Sequence, residues 1–230
     1  MRIDVAFAPE LAAPAPTAIV IDVLRATSTI VQALDAGYAQ IHCCVDVDDA
    51  RMLRHQLGRG VLAGERECVR IPGFDLGNSP REFLEPAAEL AILSTTNGTR
   101  ALAAAAERAE RVYAASLLNL NAVAQAAREA GEDVSIVCAG VLGAFAMDDA
   151  YCAGRLVALF DGELTDAAQA AVQIAESFET SEAGLLASQS ARNLLAANLD
   201  DDIAWCARTD VLTVVPRLTR TTALAVEISL

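Results

Sequence analysis

The sequence predicts an α/β protein, a three-layer α/β/α sandwich on a mostly parallel or mixed sheet with a helix-rich C-terminal part. Three observations predict it. Up to Cys138, short apolar runs rich in β-branched residues alternate with longer stretches of helical spacing. After Met147, helical patterns follow one another until two further apolar runs close the chain. Polar clusters recur just beyond the apolar runs, where strands of a parallel sheet hand over to helices.

In chain order, strands are expected over Ile3–Ala6, Ala18–Ile21, Ile41–Val45, Val61–Ala63, Leu90–Leu93, Arg111–Ala114 and Val134–Cys138. Helices are expected over Thr29–Ala36, Asp48–Leu57, Asn97–Ala109 and Asn119–Ala130, then Asp149–Phe160, Thr165–Phe178, Glu182–Ala187 and Ala191–Asn198. The AAPAP stretch near the start is a connecting loop, because its prolines disfavour helix and central strand alike. At the end, Val211–Val215 and Ala223–Ile228 flank PRLTRT, a spacing that suits an antiparallel pair. Residues 1–230 are long enough for one compact unit with a sizeable core, divisible into two lobes that would meet near residue 120.

Composition removes several function classes. The formal charge of −14 repels nucleic acid and acidic membrane surfaces. No apolar run approaches the roughly 20 residues that span a bilayer, and Asp4 interrupts the first apolar stretch, unlike a secretory leader. A cytoplasmic protein is expected. All 17 basic residues are arginine, which excludes a lysine Schiff base, a pyridoxal-phosphate lysine and a Walker lysine. Anions must be held by arginine, backbone amides, small polar side chains or metal. The six cysteines form no C-x-x-C pair, so zinc-ribbon and thioredoxin readings fail and reduced thiols are expected. His42 and His55, the only histidines, fall in a strand and on a helix and read as structural or surface residues.

The polar clusters carry the chemistry. Ala18–Ile21 runs into Asp22, Arg25, Thr27 and Ser28, and Val61–Ala63 into Glu65, Arg66 and the loop that holds Asn78 and Ser79. Leu90–Leu93 runs into Thr95, Thr96, Asn97, Gly98, Thr99 and Arg100, and Val134–Cys138 leads, past Gly140, to Asp148 and Asp149. In a parallel sheet these ends converge on one edge, and helix N-termini there favour an anion. Each threonine, serine or asparagine could also serve as a helix cap alone. Capping, however, does not call for arginines at the same places.

Known phosphate chemistries narrow by elimination. DVLRAT superficially resembles the D-x-D of haloacid-dehalogenase phosphatases, but Leu24 stands where the second aspartate should be. No cysteine has an arginine six positions on, no R-H-G occurs, and no G-x-G-x-x-G follows a strand. Direct metal-assisted hydrolysis remains, or a phosphoenzyme on Asp22 or Cys138. With so little histidine, carboxylates must bind the metal, and Mg2+ prefers oxygen ligands. Asp22, Glu65, Asp148 and Asp149 are the candidates.

The stretches VIDVLRATSTIVQAL (20–34), GERECVRIPGFDLGNSPREF (64–83), LSTTNGTRAL (93–102), SLLNLNAVA (116–124), IVCAG (136–140) and DDAYCAG (148–154) resemble the 2-phosphosulfolactate phosphatases. The resemblance implies an α/β/α fold, Mg2+ dependence and hydrolysis of a phosphate ester on a 2-hydroxy acid that carries a second strong anion, in coenzyme M biosynthesis. One departure stands out: glycines often follow the family's G-E-R, where this chain has Glu67 and Cys68. On this reading Asp22, Glu65 and Asp149 hold metal and water. Arg25, Arg66 and Arg100 clamp anionic oxygens, while Thr95 to Thr99 cradle an anion, with Asn78, Ser79 and Asn119 at second rank. The expected partner is a small multiply anionic phosphorylated 2-hydroxy acid, with no nucleic acid, no membrane, and a homodimer as a candidate assembly. Two rivals keep the pocket but change its use: a non-catalytic anion-binding protein and a nucleotide-using α/β enzyme.

Overall fold

The computed structural model describes residues 1–230. The first half runs β1 (Arg2–Ala6), β2 (Thr17–Ile21), α1 (Ala26–Ala36), β3 (Gln40–Cys43), α2 (Val47–Leu57), β4 (Val61–Arg66) and β5 (Val69–Arg70). It continues through β6 (Leu90–Ser94), α3 (Gly98–Ala106), β7 (Arg111–Ala115), α4 (Leu120–Ala130) and β8 (Val134–Cys138). Then follow α5 (Met147–Val157), β9 (Glu163–Leu164), α6 (Asp166–Glu176), α7 (Ser181–Leu186), α8 (Gln189–Ala196), α9 (Asp200–Cys206), β10 (Arg217–Thr221) and β11 (Val226–Ser229). Thr165, Thr180 and Ser188 start α6, α7 and α8, each side-chain oxygen accepting the amide three residues on. No helix is long and apolar enough to cross a membrane.

All eleven strands join one mixed sheet in the order β5-β4-β6-β3-β11-β10-β7-β2-β8-β1-β9. Two parallel blocks, β4–β6–β3 and β7–β2–β8–β1, are bridged by the antiparallel hairpin β10–β11, which pairs β7 on one side and β3 on the other. The C-terminal hairpin thus fuses two half-sheets into one.

Helices cover both faces, as the predicted sandwich requires. Along β2, Ile19 and Ile21 enter a core of 29 buried residues shared with α4, α5 and α6, while Ala18 and Val20 enter one of 21 shared with α1 and α3. A strand buried on both faces reads as a continuous apolar run rather than an alternation. Each fully buried Ile or Val contributes roughly 1.5–3 kcal/mol.

One expected strand is corrected. Val211–Val215 forms no strand; the first closing strand is Arg217–Thr221, inside the segment read as the connection. Three hydrogen bonds explain it: Asp210 N and Leu212 N donate to the carbonyls of Leu117 and Leu118, and Asn119 Nδ2 donates to Val214 O. The segment lies against the turn before α4, its backbone groups satisfied outside the ladder. Among the helices, α1 begins at Ala26, three residues early, and α9, unread in the sequence, follows α8.

Candidate active site

The carboxyl ends of β2, β4 and β6 and the loop after β8 open on one cleft of about 660 Å³, walled on its far side by α8. A second pocket of about 380 Å³ adjoins it, with Arg66, Thr96, Asn97 and Leu142 common to both. The partition is fastened across the sheet, because Leu142 N donates to Asn97 Oδ1 at 3.0 Å.

Asp22 lies in the cleft wall, 8% exposed. Oδ1 accepts the Ala26 amide of α1 at 3.2 Å. No protein donor reaches Oδ2, which faces the start of α3. A Cβ at Gly98 would fall 2.6 Å from Oδ2 and 2.4 Å from the Ala26 methyl, so only glycine lets α3 approach this closely. Burial pushes the Asp22 pKa up to about 7; the Ala26 amide opposes this, while the charges of Asp148 and Glu65 add to it.

Glu65, at the end of β4, also lines the cleft. Its Oε1 accepts the Thr96 amide at 2.8 Å and its Oε2 the Cys68 amide at 2.9 Å, so the carboxylate is fixed in orientation. Glu67 and Cys68 adopt left-handed backbone conformations, φ +52° and +66°. Residues other than glycine seldom adopt it.

Asp148 and Asp149 are fully buried at the start of α5 and lie beneath the cleft rather than in its wall. Asp149 receives Val23 N and Gly140 N, both at 2.9 Å, one on each oxygen, and so staples the end of β2 to that of β8. Asp148 accepts from Ser190 Oγ at 3.1 Å, and Ser190 does line the cleft. Burial raises Asp148 to about 6 and holds Asp149 well above the carboxylate range, with the negative charges of Asp148 and Asp22 adding to the latter.

The three arginines differ. Arg25, 4% exposed, donates to Asp202 Oδ2 at 2.6 Å and to Cys68 O at 3.2 Å while lining the cleft. Arg66 donates to the carbonyls of Glu65, Ser94 and Val45 and to Ser94 Oγ, tying β4 to β6. Arg100, exposed in the second pocket, has no protein partner and keeps its whole fork free.

Several expected site residues serve the scaffold. Thr27 Oγ1 exchanges hydrogen bonds with the Asp22 backbone, Ser28 Oγ donates to Val23 O, and both are fully buried. Thr95 and Thr99 bond reciprocally between backbone and hydroxyl, closing the turn into α3; Thr95 also borders the second pocket. Ser79 Oγ donates to Asp202 at 2.6 Å. Asn119 forms a capping box with Ser116 and reaches neither pocket. Asn78 does line the cleft, 4% exposed, and its Oδ1 has no donor. Cys138 is fully buried, and burial holds its thiol well above the ordinary range, protonated and away from the cleft.

Sequence reading missed Asp202, Ser190, Asn193 and Leu142, all of which line the cleft or anchor a residue that does, whereas Glu67 and Cys68, singled out after G-E-R, do line it. Ser190, Asn193 and Asp202 come from helices with no strand-end signature. The one available signal was the DDD run at 200–202.

No three Asp, Glu, His or Cys side chains converge as ligands for a single ion. Mg2+ needs no such cage, since it takes one or two carboxylates and completes its shell with phosphate and water. The donor set fits that habit: Asp22 Oδ2 is open, Asn78 Oδ1 is a buried acceptor without a donor, and the raised Asp22 and Asp148 carboxyls gain from a nearby cation.

This predicts a pH dependence. Between about pH 4 and 7 the folded chain binds more protons at Asp22 and Asp148 than the unfolded chain, whose aspartates titrate near 3.8. Stability contributed by these groups is therefore lost as pH rises through that window. Metal-stripped protein should show a lower Tm at about pH 8 than at about pH 5, and Mg2+ should raise Tm more at the higher pH, where fewer protons compete. Thermal scans with and without Mg2+ check both signs.

An α/β enzyme with an acidic, arginine-walled cleft at the carboxyl edge of its sheet is the class that fold and site define. Residues 6–221 match the family model described as 2-phosphosulpholactate phosphatase. Proteins named probable 2-phosphosulfolactate phosphatase, from Pseudothermotoga lettingae and Thermus thermophilus, are each 38% identical to this chain. The alignments cover 93% and 95% of this chain and 94% of each relative. One named 2-phosphosulfolactate phosphatase, from Methanothermobacter thermautotrophicus, is 35% identical over 86% of this chain and 84% of its own length. The chain belongs to the 2-phosphosulfolactate phosphatase family and is a phosphoric monoester hydrolase.

Proposed function

We propose that this chain is a Mg2+-dependent phosphatase that hydrolyses the phosphate ester of a small anionic 2-hydroxy acid, 2-phosphosulfolactate above all, to the hydroxy acid and phosphate. One observation carries the reading: two carboxylates, Asp22 and Glu65, and two arginines, Arg25 and Arg66, share one cleft at the sheet edge, next to a pocket where Arg100 stands unpaired.

Asp22 would hold Mg2+ through its open oxygen, with Asn78 and the Asp148 carboxyl as supporting donors. When bound, the ion would neutralise charge on the phosphoryl oxygens. Glu65, held by two amides, is the carboxylate placed to take the proton of the attacking water and to return it to the leaving alkoxide as the phosphorus–oxygen ester bond breaks. Arg25 and Arg66 offer donors to the equatorial oxygens. Arg100 meets the second anion in the adjoining pocket. The buried, protonated Cys138 favours direct attack by water over a cysteine phosphoenzyme. Cytoplasmic location and a role in coenzyme M biosynthesis accompany this reading.

Phosphate release from 2-phosphosulfolactate, phospholactate and the phosphate ester of an uncharged alcohol tests the substrate class. Turnover should follow that order, and Arg100→Lys should raise KM for 2-phosphosulfolactate about tenfold while leaving the ester of the uncharged alcohol unchanged. Equal kcat/KM on all three esters would refute the second-anion pocket. Absence of release from every ester would favour the non-catalytic anion-binding reading.

A further inference from the structure

Three consecutive aspartates open α9, and the fold treats them differently. Asp201 pairs with Arg81 at the surface, the two side chains 69% and 44% exposed. Asp202 turns inward and is 1% exposed. Its Oδ2 accepts from Arg25 Nη1 and its Oδ1 from Ser79 Oγ, both at 2.6 Å. One carboxylate thus joins α9, the β2–α1 loop and the loop that carries Asn78.

Arg25 is fixed at two points of its plane: Nη1 on Asp202 and Nη2 on the Cys68 carbonyl. A guanidinium gripped at both terminal nitrogens cannot swing about its stem, so the edge it turns to the cleft is set in advance. Without the Asp202 charge, Arg25 would sit buried without its ion-pair partner, and Asp22, which lines the same cleft and feels the Arg25 charge, would draw it.

We infer that Asp202 is a positioning residue for the phosphatase reaction: acting through Arg25, it aims the guanidinium at the phosphoryl group and keeps it off Asp22. The inference rests on the phosphatase reading above and adds to it a residue from α9 that touches neither substrate nor metal. Asp201 has no share in this role.

The test is a double-mutant cycle. Asp202→Asn keeps the shape and a partner for Ser79 but removes the charge. It should lower kcat on 2-phosphosulfolactate roughly tenfold to a hundredfold with little change in KM, because an aimed donor counts most in the transition state. In an Arg25→Lys background the same change should add almost nothing, and Asp201→Asn should leave kcat at the wild-type value. Phenylglyoxal labelling mapped by mass spectrometry needs no turnover: Arg25 should be protected in wild type and in Asp201→Asn, and labelled faster in Asp202→Asn. Should Asp202→Asn not fold, Ser79→Ala removes the hydroxyl that fixes the other carboxylate oxygen and should give both signatures at smaller amplitude. Wild-type kcat with unchanged Arg25 protection in the folded variant would overturn the inference, as would a full additive loss in the Arg25→Lys background. If wild type releases no phosphate, the reading falls, while the labelling still decides whether Asp202 holds Arg25.

Discussion

Asp22→Asn should abolish turnover, with kcat on 2-phosphosulfolactate falling by at least about a thousandfold, roughly 4 kcal/mol of transition-state stabilisation. The side chain keeps its size, and its carbonyl oxygen can still accept the Ala26 amide, so the fold should survive. What disappears is a negative oxygen beside Gly98 that no protein donor satisfies. The same substitution should weaken Mg2+ binding and remove most of the Mg2+-dependent rise in Tm at about pH 8. It should also stabilise the metal-free protein at that pH, because a buried carboxyl that resists ionisation is gone. Steady-state kinetics beside thermal scans separate these effects. Loss of activity with an undiminished Mg2+ shift would place the ion elsewhere.

Arg25→Lys is the second large effect expected, roughly a hundredfold in kcat/KM. The guanidinium serves Asp202 and Cys68 O at once and still faces the cleft, a task for a planar fork. A lysine ammonium is a point charge that can satisfy Asp202 or the cleft but does not reproduce the fixed edge. Arg66→Lys should act differently. Arg66 ties β4 to β6 through three carbonyls and Ser94 Oγ, so its loss should appear in stability as well as rate. Denaturation midpoints for the two variants, set beside kcat/KM, distinguish the roles.

Much of this site could be read from the chain because a parallel sheet places ligand chemistry at its strand ends. Asp22 and Thr96 follow their strands by no more than two residues, Glu65 sits at the end of β4, and apolar runs mark the strands plainly. Roles were harder to read than positions. Thr27, Ser28 and Thr99 look like an anion cradle in sequence yet spend their hydroxyls on the turns they start, since short polar side chains next to a helix N-terminus bond locally. Asp149 reads as a ligand in sequence, and in the fold each of its oxygens also accepts an amide that joins β2 to β8.

What escaped the sequence came from a distance. Asp202 reaches Arg25 across 177 residues, and α8 closes the cleft with Ser190 and Asn193 on a helix whose spacing announces only amphipathicity. The same limit explains Val211–Val215, an apolar run whose backbone bonds to the turn before α4 instead of to a strand. Local pattern records a preference for extended chain, and tertiary partners decide whether it becomes a strand. An antiparallel pair was expected at this end with its first strand over Val211–Val215, and neither the true first strand, Arg217–Thr221, nor the hairpin's place between β7 and β3 leaves a mark on local periodicity.

We propose that phosphate-ester hydrolysis occurs in the Asp22 cleft and requires a divalent cation. Phosphate release from 2-phosphosulfolactate by exhaustively chelated protein, titrated with Mg2+, tests it most directly. No release before addition, and saturable recovery in wild type but not in Asp22→Asn, is the predicted result. Full turnover by the chelated protein would show that hydrolysis needs no metal, and equal recovery in the variant would place the ion away from Asp22.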